Sequence, residues 1–287
     1  MKKEVRKKVK LIVRHHSKIK PKIKSSVSSK VNPKADKFVK TYIPGFDALL
    51  SDGLLKGSAN LVEGGPGSGK TLFLLQLAKN YCEHGKKVLY MSFEEPEYRL
   101  RDHMSNFGTD ATVYEKKGLL YIKRFNALDI ARSVEALLSE AKKELLIEVQ
   151  PVLIPENFKP DIVLIDSLTS IGSAFSGEES RFRIYMEQLF RYLEGHDITS
   201  FLIRETASPT HVGNTFTEKG EAVSFLSDGI IALYNVFFKD GKRKRAIEII
   251  KMRGVEIKRQ IAEFDIVKGK GIIVSPEKSP RGDFILT

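Results

Sequence analysis

The sequence predicts an α/β fold: a mostly parallel central sheet flanked by helices, with antiparallel strands added at its C-terminal edge. Three observations carry this expectation. The octapeptide Gly64-Gly65-Pro66-Gly67-Ser68-Gly69-Lys70-Thr71 fits the phosphate-loop pattern G-x-x-x-x-G-K-[ST] and sits between an apolar strand and an apolar-periodic helix. Strand and helix patterns alternate from residue 59 to residue 204. A closing series of short strand patterns then runs to residue 274.

The elements follow in order. Ala59 to Val62 reads as a short apolar strand, and Thr71 to Tyr81 places Leu72, Leu75, Leu77 and Ala78 at helical spacing. Lys87 to Phe93 is a second strand. Pro96 opens a helix that Gly108 stops. Leu119 to Phe125 is a third strand, and Ala127 to Val149 an amphipathic helix broken by Pro151 and Pro155. Asp161 to Asp166 is a fourth strand, 178–194 a helix, and Thr199 to Arg204 a fifth strand. Strands near 229–234, 245–252, 259–267 and 271–274 finish the chain as antiparallel additions at one edge.

Composition narrows the class. The 287 residues are 41% apolar, and no run approaches the roughly 18 apolar residues that cross a bilayer. The start, Met1 to Arg14, lacks the apolar stretch and cleavage site of a signal peptide. With a single cysteine, Cys82, an intramolecular disulfide and a thiolate zinc cluster are both excluded. A cytoplasmic protein is expected.

Net charge is +12, unevenly placed. Residues 1–40 hold 15 Lys and Arg against Glu4 and Asp36, so the rest of the chain is nearly neutral. The expected organisation is a basic, largely disordered arm over 1–40 and one domain over 41–287. The arm admits three readings: a solvated tail, a salt-sensitive nucleic-acid contact, or attraction to an acidic lipid surface or protein.

The chemistry begins at the loop. Its glycines let successive N–H groups point into one concavity, and the following helix adds its N-terminal partial charge. Gly64, Gly65, Gly67, Ser68, Gly69, Lys70, Thr71 and Leu72 form the candidate nucleotide-binding set. Lys70 would reach the β- and γ-phosphates of ATP, and Thr71 would offer its hydroxyl to Mg²⁺.

Asp166 ends a buried strand at the sheet edge where ligands sit, and is the candidate second Mg²⁺ residue; a helix N-cap is the alternative. Glu94 and Glu95 are candidates to polarise an attacking water, or to charge the first turn of the Pro96 helix. Arg204 and Glu205 could sense the γ-phosphate or form a surface ion pair. Lys251 and Arg253 project to one face of a strand, as an exposed basic edge or as a pair reaching a neighbouring subunit's γ-phosphate.

Taken together these residues resemble the RecA-superfamily ATPases, within them the KaiC-like branch. The pieces occur in family order: Ile43-Pro44-Gly45-Phe46-Asp47, the phosphate loop, Ser92-Phe93-Glu94-Glu95, Asn106-Phe107-Gly108, Ile165-Asp166-Ser167, Ser227-Asp228-Gly229 and Lys251-Met252-Arg253-Gly254. The resemblance spans about residues 41–275. It implies a RecA-like fold, ATP with Mg²⁺, water activation by Glu94 and Glu95, Lys251 and Arg253 acting across a subunit boundary, and a hexameric ring. The serine–threonine pair that is phosphorylated in the family's cyanobacterial clock members looks like Ser224-Phe225 here; the threonine is absent, so autokinase activity is not implied. The leading expectation is a slow ATPase acting as an oligomeric switch. The rivals are a DNA-associated recombinase paralogue using the arm, and a nucleotide-gated scaffold without turnover.

Overall fold

The computed structural model describes residues 37–106, 108–132, 154–155, 157–175, 177–206 and 221–287. Most of the basic arm, the helix expected beyond residue 132 and Phe107 of the Asn-Phe-Gly motif lie outside the described residues.

The main sheet has six parallel strands. They are β3 (Ala59–Gly64), β4 (Val88–Ser92), β5 (Leu120–Arg124), β6 (Ile162–Asp166), β7 (Thr199–Glu205) and β8 (Gly229–Phe238), ordered β8-β3-β7-β6-β4-β5. The strand carrying the phosphate loop is therefore central. Strands β9 (Arg243–Met252), β10 (Ala262–Val267) and β11 (Gly271–Ser275) extend the β8 edge antiparallel. β12 (Phe284–Leu286) pairs with the far end of β8, and β1 (Phe38–Val39) with β2 (Leu54–Leu55) in a separate ribbon.

The expected strand over 229–234 is present but parallel to β3, and longer. Its direction is set by the connection that precedes it, which ends in a short helix over Glu221–Leu226, not by its local pattern.

Strand alternation sends side chains to two apolar layers. Val62, Tyr90, Leu164 and Ile203 face one layer, covered by α1 (Lys70–Glu83), α2 (Glu97–Ser105) and α3 (Ala111–Lys116). Leu61, Met91, Ile165 and Leu202 face the other, covered by α4 (Leu168–Ala174) and α5 (Glu179–Gly195). On α5, buried Tyr185, Met186, Leu189, Phe190 and Leu193 repeat at helical spacing, making one apolar stripe. The helix at Glu221–Leu226 is α6.

Parallel strands align their C-terminal ends. Gly64 lies opposite Glu205, and Ser92 opposite Asp166, so the loop, the carboxylate and the residues after β4 gather at one sheet edge. Ligands of open parallel sheets bind outside that edge.

Candidate nucleotide site

The loop leaves β3 at Gly64, where only a glycine fits. A Cβ there would lie 2.3 Å from the Leu233 carbonyl oxygen on the neighbouring strand. Gly69 takes φ 104° as it enters α1, a left-handed conformation that L side chains rarely adopt. Between them Ser68 is fully buried, and its Oγ has no hydrogen-bond partner among the described residues. A buried hydroxyl without a partner costs free energy unless something completes it. The loop therefore fits an anion seated against it.

Lys70 Nζ donates to the carbonyl oxygens of Gly64 and Gly65, 2.9 Å each. Burial holds this ammonium below the usual lysine range, opposed by Glu205, Asp166 and Glu94. Glu205 Oε1 stands 4.0 Å from it. Leu72 is half-buried, and its side chain packs against the α1-side core.

Asp166 is buried at the end of β6. It accepts from the Tyr90 hydroxyl at 2.8 Å and from the Thr71 hydroxyl. Burial pushes its carboxyl up to about 6; the two hydrogen bonds oppose the shift, and Glu94 and Glu95 add to it. Asp166 and Thr71, both expected to hold Mg²⁺, are thus in contact. One carboxylate beside one hydroxyl is a donor set that fits Mg²⁺, which takes one or two carboxylates together with substrate phosphates.

The two glutamates after β4 diverge. Glu94 Oε1 accepts from Ser167 Oγ at 2.5 Å and from Ser170 Oγ at 3.0 Å, both on the first turn of α4. Glu95 Oε2 lies 3.1 Å from His103 Nε2 on α2. The helix N-cap after β6 is Ser167, whose Oγ accepts from the Ser170 N–H, so Asp166 is free of that duty.

Arg204 is neither a surface ion-pair residue nor turned to the loop. Its guanidinium pairs with Glu63 inside the sheet, and its side chain is only 10% exposed. Glu205, the next residue, is the one that faces Lys70.

Lys251 and Arg253 are not brought to this site. Lys251 lies opposite Ile230, and Ile230 opposite Leu61, three residues before the end of β3. The pair therefore sits about 10 Å behind Gly64 along the strand direction, at the other edge of the sheet. There Lys251 Nζ donates to the carbonyls of Ser224 (3.0 Å), Phe225 and Ser227, and Arg253 donates to the Phe225 carbonyl (2.8 Å) and to Asp228. Burial, then the Arg253 charge, hold the Lys251 ammonium below the usual lysine range, opposed by Asp228.

Several residues escape sequence reasoning. Tyr90 reads as an apolar strand residue, His103 falls within the Pro96 helix without a role, and Ser170 lies in no expected element. Arg245 lies opposite Asn235 on β8, and Asn235 bonds the Pro66 carbonyl of the loop. Arg245 is half-buried, and its buried Nε lacks a hydrogen-bond partner among the described residues.

Fold and site together define a RecA-like P-loop protein. A family model described as "ATPase: KaiC" matches residues 39–279. The UPF0273 protein PH0284 of Pyrococcus horikoshii is 31% identical over 246 residues, covering 84% of this chain and 94% of that one. Circadian clock protein KaiC3 of Synechocystis is 29% identical, over 83% of this chain and 45% of its own length. Among solved structures, the KaiC-like protein PH0186 of Pyrococcus horikoshii superposes with a TM-score of 0.65 at 28% identity, covering 83% of this chain and 99% of that one. The chain belongs to the KaiC-like ATPase family. No helix among the described residues is long and apolar enough to cross a membrane.

Proposed function

We propose that the protein binds Mg·ATP and hydrolyses it slowly, as an oligomeric switch whose active site is completed by a neighbouring copy. One observation carries the second half. The two cations that would stabilise the γ-phosphate lie at the sheet edge away from their own loop. They can serve only a loop presented by another copy. An open, shallow groove beside Lys251 is lined by Val255, Glu256, Ile257 and Arg259.

Within one subunit the labour divides as follows. Backbone N–H groups of the loop and the α1 N-terminus hold the phosphates. Lys70 exchanges its bonds to Gly64 and Gly65 for phosphate oxygens. Thr71 and Asp166 would hold Mg²⁺, which would offset the negative charge of the phosphate oxygens. Glu94, fixed by two hydroxyls of α4, orients the water, and Glu95 stands beside it. Lys251 and Arg253 of the neighbour offset the charge that develops on the transferred group.

The test is ATP turnover per subunit against protein concentration. A site completed by a neighbour gives turnover that rises with concentration and reaches a plateau once the oligomer forms. Turnover per subunit that stays constant down to the monomer removes the shared site and leaves the nucleotide reading standing.

A further inference from the structure

We propose that His103 is the positioning residue for Glu95, and that helix α2 thereby sets where the second glutamate of the pair stands. This rests on the reading of Glu94 and Glu95 as the groups that prepare water.

Glu94 and Glu95 lie in the bend that joins β4 to α2, and their carboxylates have separate holders. The structure supplies them from different elements. Glu94 is held by Ser167 and Ser170 at the start of α4. The backbone of Glu95 is held by Ser92, whose Oγ donates to its carbonyl at 2.6 Å. Among the described residues, the Glu95 carboxylate has one side-chain hydrogen-bond partner, the His103 imidazole at 3.1 Å.

The platform under His103 is rigid. Leu100 and Met104, one turn back and one residue on, are buried in the α1-side core. Arg101 grips Glu115 of α3 through Nε and one terminal nitrogen, at 2.8 to 3.1 Å. A side chain on such a helix has few alternative positions, so its partner has few as well. Glu95 is close enough to Asp166 for its charge to act there. A carboxylate left free at that distance could swing toward the Thr71–Asp166 pair or out to solvent, and in either place it no longer faces the water.

The consequence is specific. Losing the imidazole should misplace Glu95 without touching the phosphate loop, and misplacement of a reacting group by about 1 Å costs roughly a hundredfold in rate. Glutamine keeps an N–H at nearly the same reach, so it should restore most of the loss.

The experiment measures kcat and KM for ATP in His103→Ala, His103→Gln, Glu95→Ala and the His103→Ala/Glu95→Ala double variant, with nucleotide affinity and melting temperature recorded for each. The expected result is a kcat at least about tenfold lower in His103→Ala, with KM and melting temperature unchanged and most activity recovered in His103→Gln. In the Glu95→Ala background the His103→Ala change should add nothing. Full activity in His103→Ala, equal losses in the Ala and Gln variants, or an undiminished effect without Glu95 overturns the proposal. Full activity in Glu95→Ala would remove the catalytic reading of Glu95 itself, and this inference with it. An impaired Glu95→Ala beside an unimpaired His103→Ala overturns the positioning role alone.

Discussion

Lys251, on β9, stands behind the loop that delivers Lys70 to the start of α1. Lys251 pairs through Ile230 with Leu61 near the start of β3, while Lys70 follows the loop that leaves the other end of β3. In a lone subunit Lys251 and Arg253 instead bind the carbonyls that close α6. Arg253→Ala should therefore lower ATP turnover by about a hundredfold or more, the range for removing one charge-stabilising donor, with nucleotide affinity nearly intact. Steady-state turnover and calorimetry on the same preparation check both halves. Loss of affinity equal to the loss of turnover would place Arg253 in ground-state binding.

Tyr90 is fully buried and gives its hydroxyl to Asp166. Tyr90→Phe keeps the ring and removes the donor, so Asp166 loses one of its two hydroxyl partners. A stability loss of about 1–3 kcal/mol is expected in urea unfolding. Weaker Mg·ATP binding should accompany it, because the Asp166 carboxylate is then less firmly oriented. An unchanged midpoint would mean that water replaces the hydroxyl without cost.

The Glu63–Arg204 pair crosses from β3 to β7 just beneath the loop, with Glu63 wholly buried. Removing one member leaves a buried charge. Arg204→Ala should cost about 3–5 kcal/mol, far more than a surface pair. Thermal unfolding with and without nucleotide separates the readings: a sensor of phosphate would alter the nucleotide-induced shift, whereas the buried pair lowers both melting temperatures together.

Cys82 is buried on α1, and burial, with a smaller push from Glu83, raises its thiol to about 12. The folded value lies above the unfolded one. Its contribution to stability is therefore fully present below about pH 9 and is lost as pH rises from there toward about 12. At neutral pH a maleimide should label native Cys82 only as fast as the protein opens. Prompt labelling of the native protein would contradict the burial of α1 against the sheet.

What the sequence made legible was local. The eight-residue loop pattern and the helix after it are read within one short segment, and Asp166 ends an apolar run in plain sight; that Gly64 must be glycine because of the Leu233 carbonyl shows only in the fold. The helices flanking the sheet announce themselves by periodicity where they are long. α4 has only seven residues, and its one sign is the Ser167–Ser170 cap. The direction of β8 depends on the connection before it, so its pattern reads the same for a parallel or an antiparallel strand. Pairings such as Tyr90 with Asp166, Glu95 with His103 and Arg204 with Glu63 arise where separate elements meet, and neither partner's neighbours in sequence signal them. Lys251 and Arg253 were legible as a pair, but only the strand register shows that they face away from their own loop.

The most direct test mixes two inactive variants. Lys70→Ala keeps Lys251 and Arg253 but loses its own loop lysine; Arg253→Ala keeps the loop but loses the reaching cation. If a neighbour completes each site, equal mixtures regain turnover at interfaces where an intact loop meets an intact Arg253, about a quarter of them under random assembly. Mixtures that exchange subunits and remain as inactive as their components would contradict a shared site.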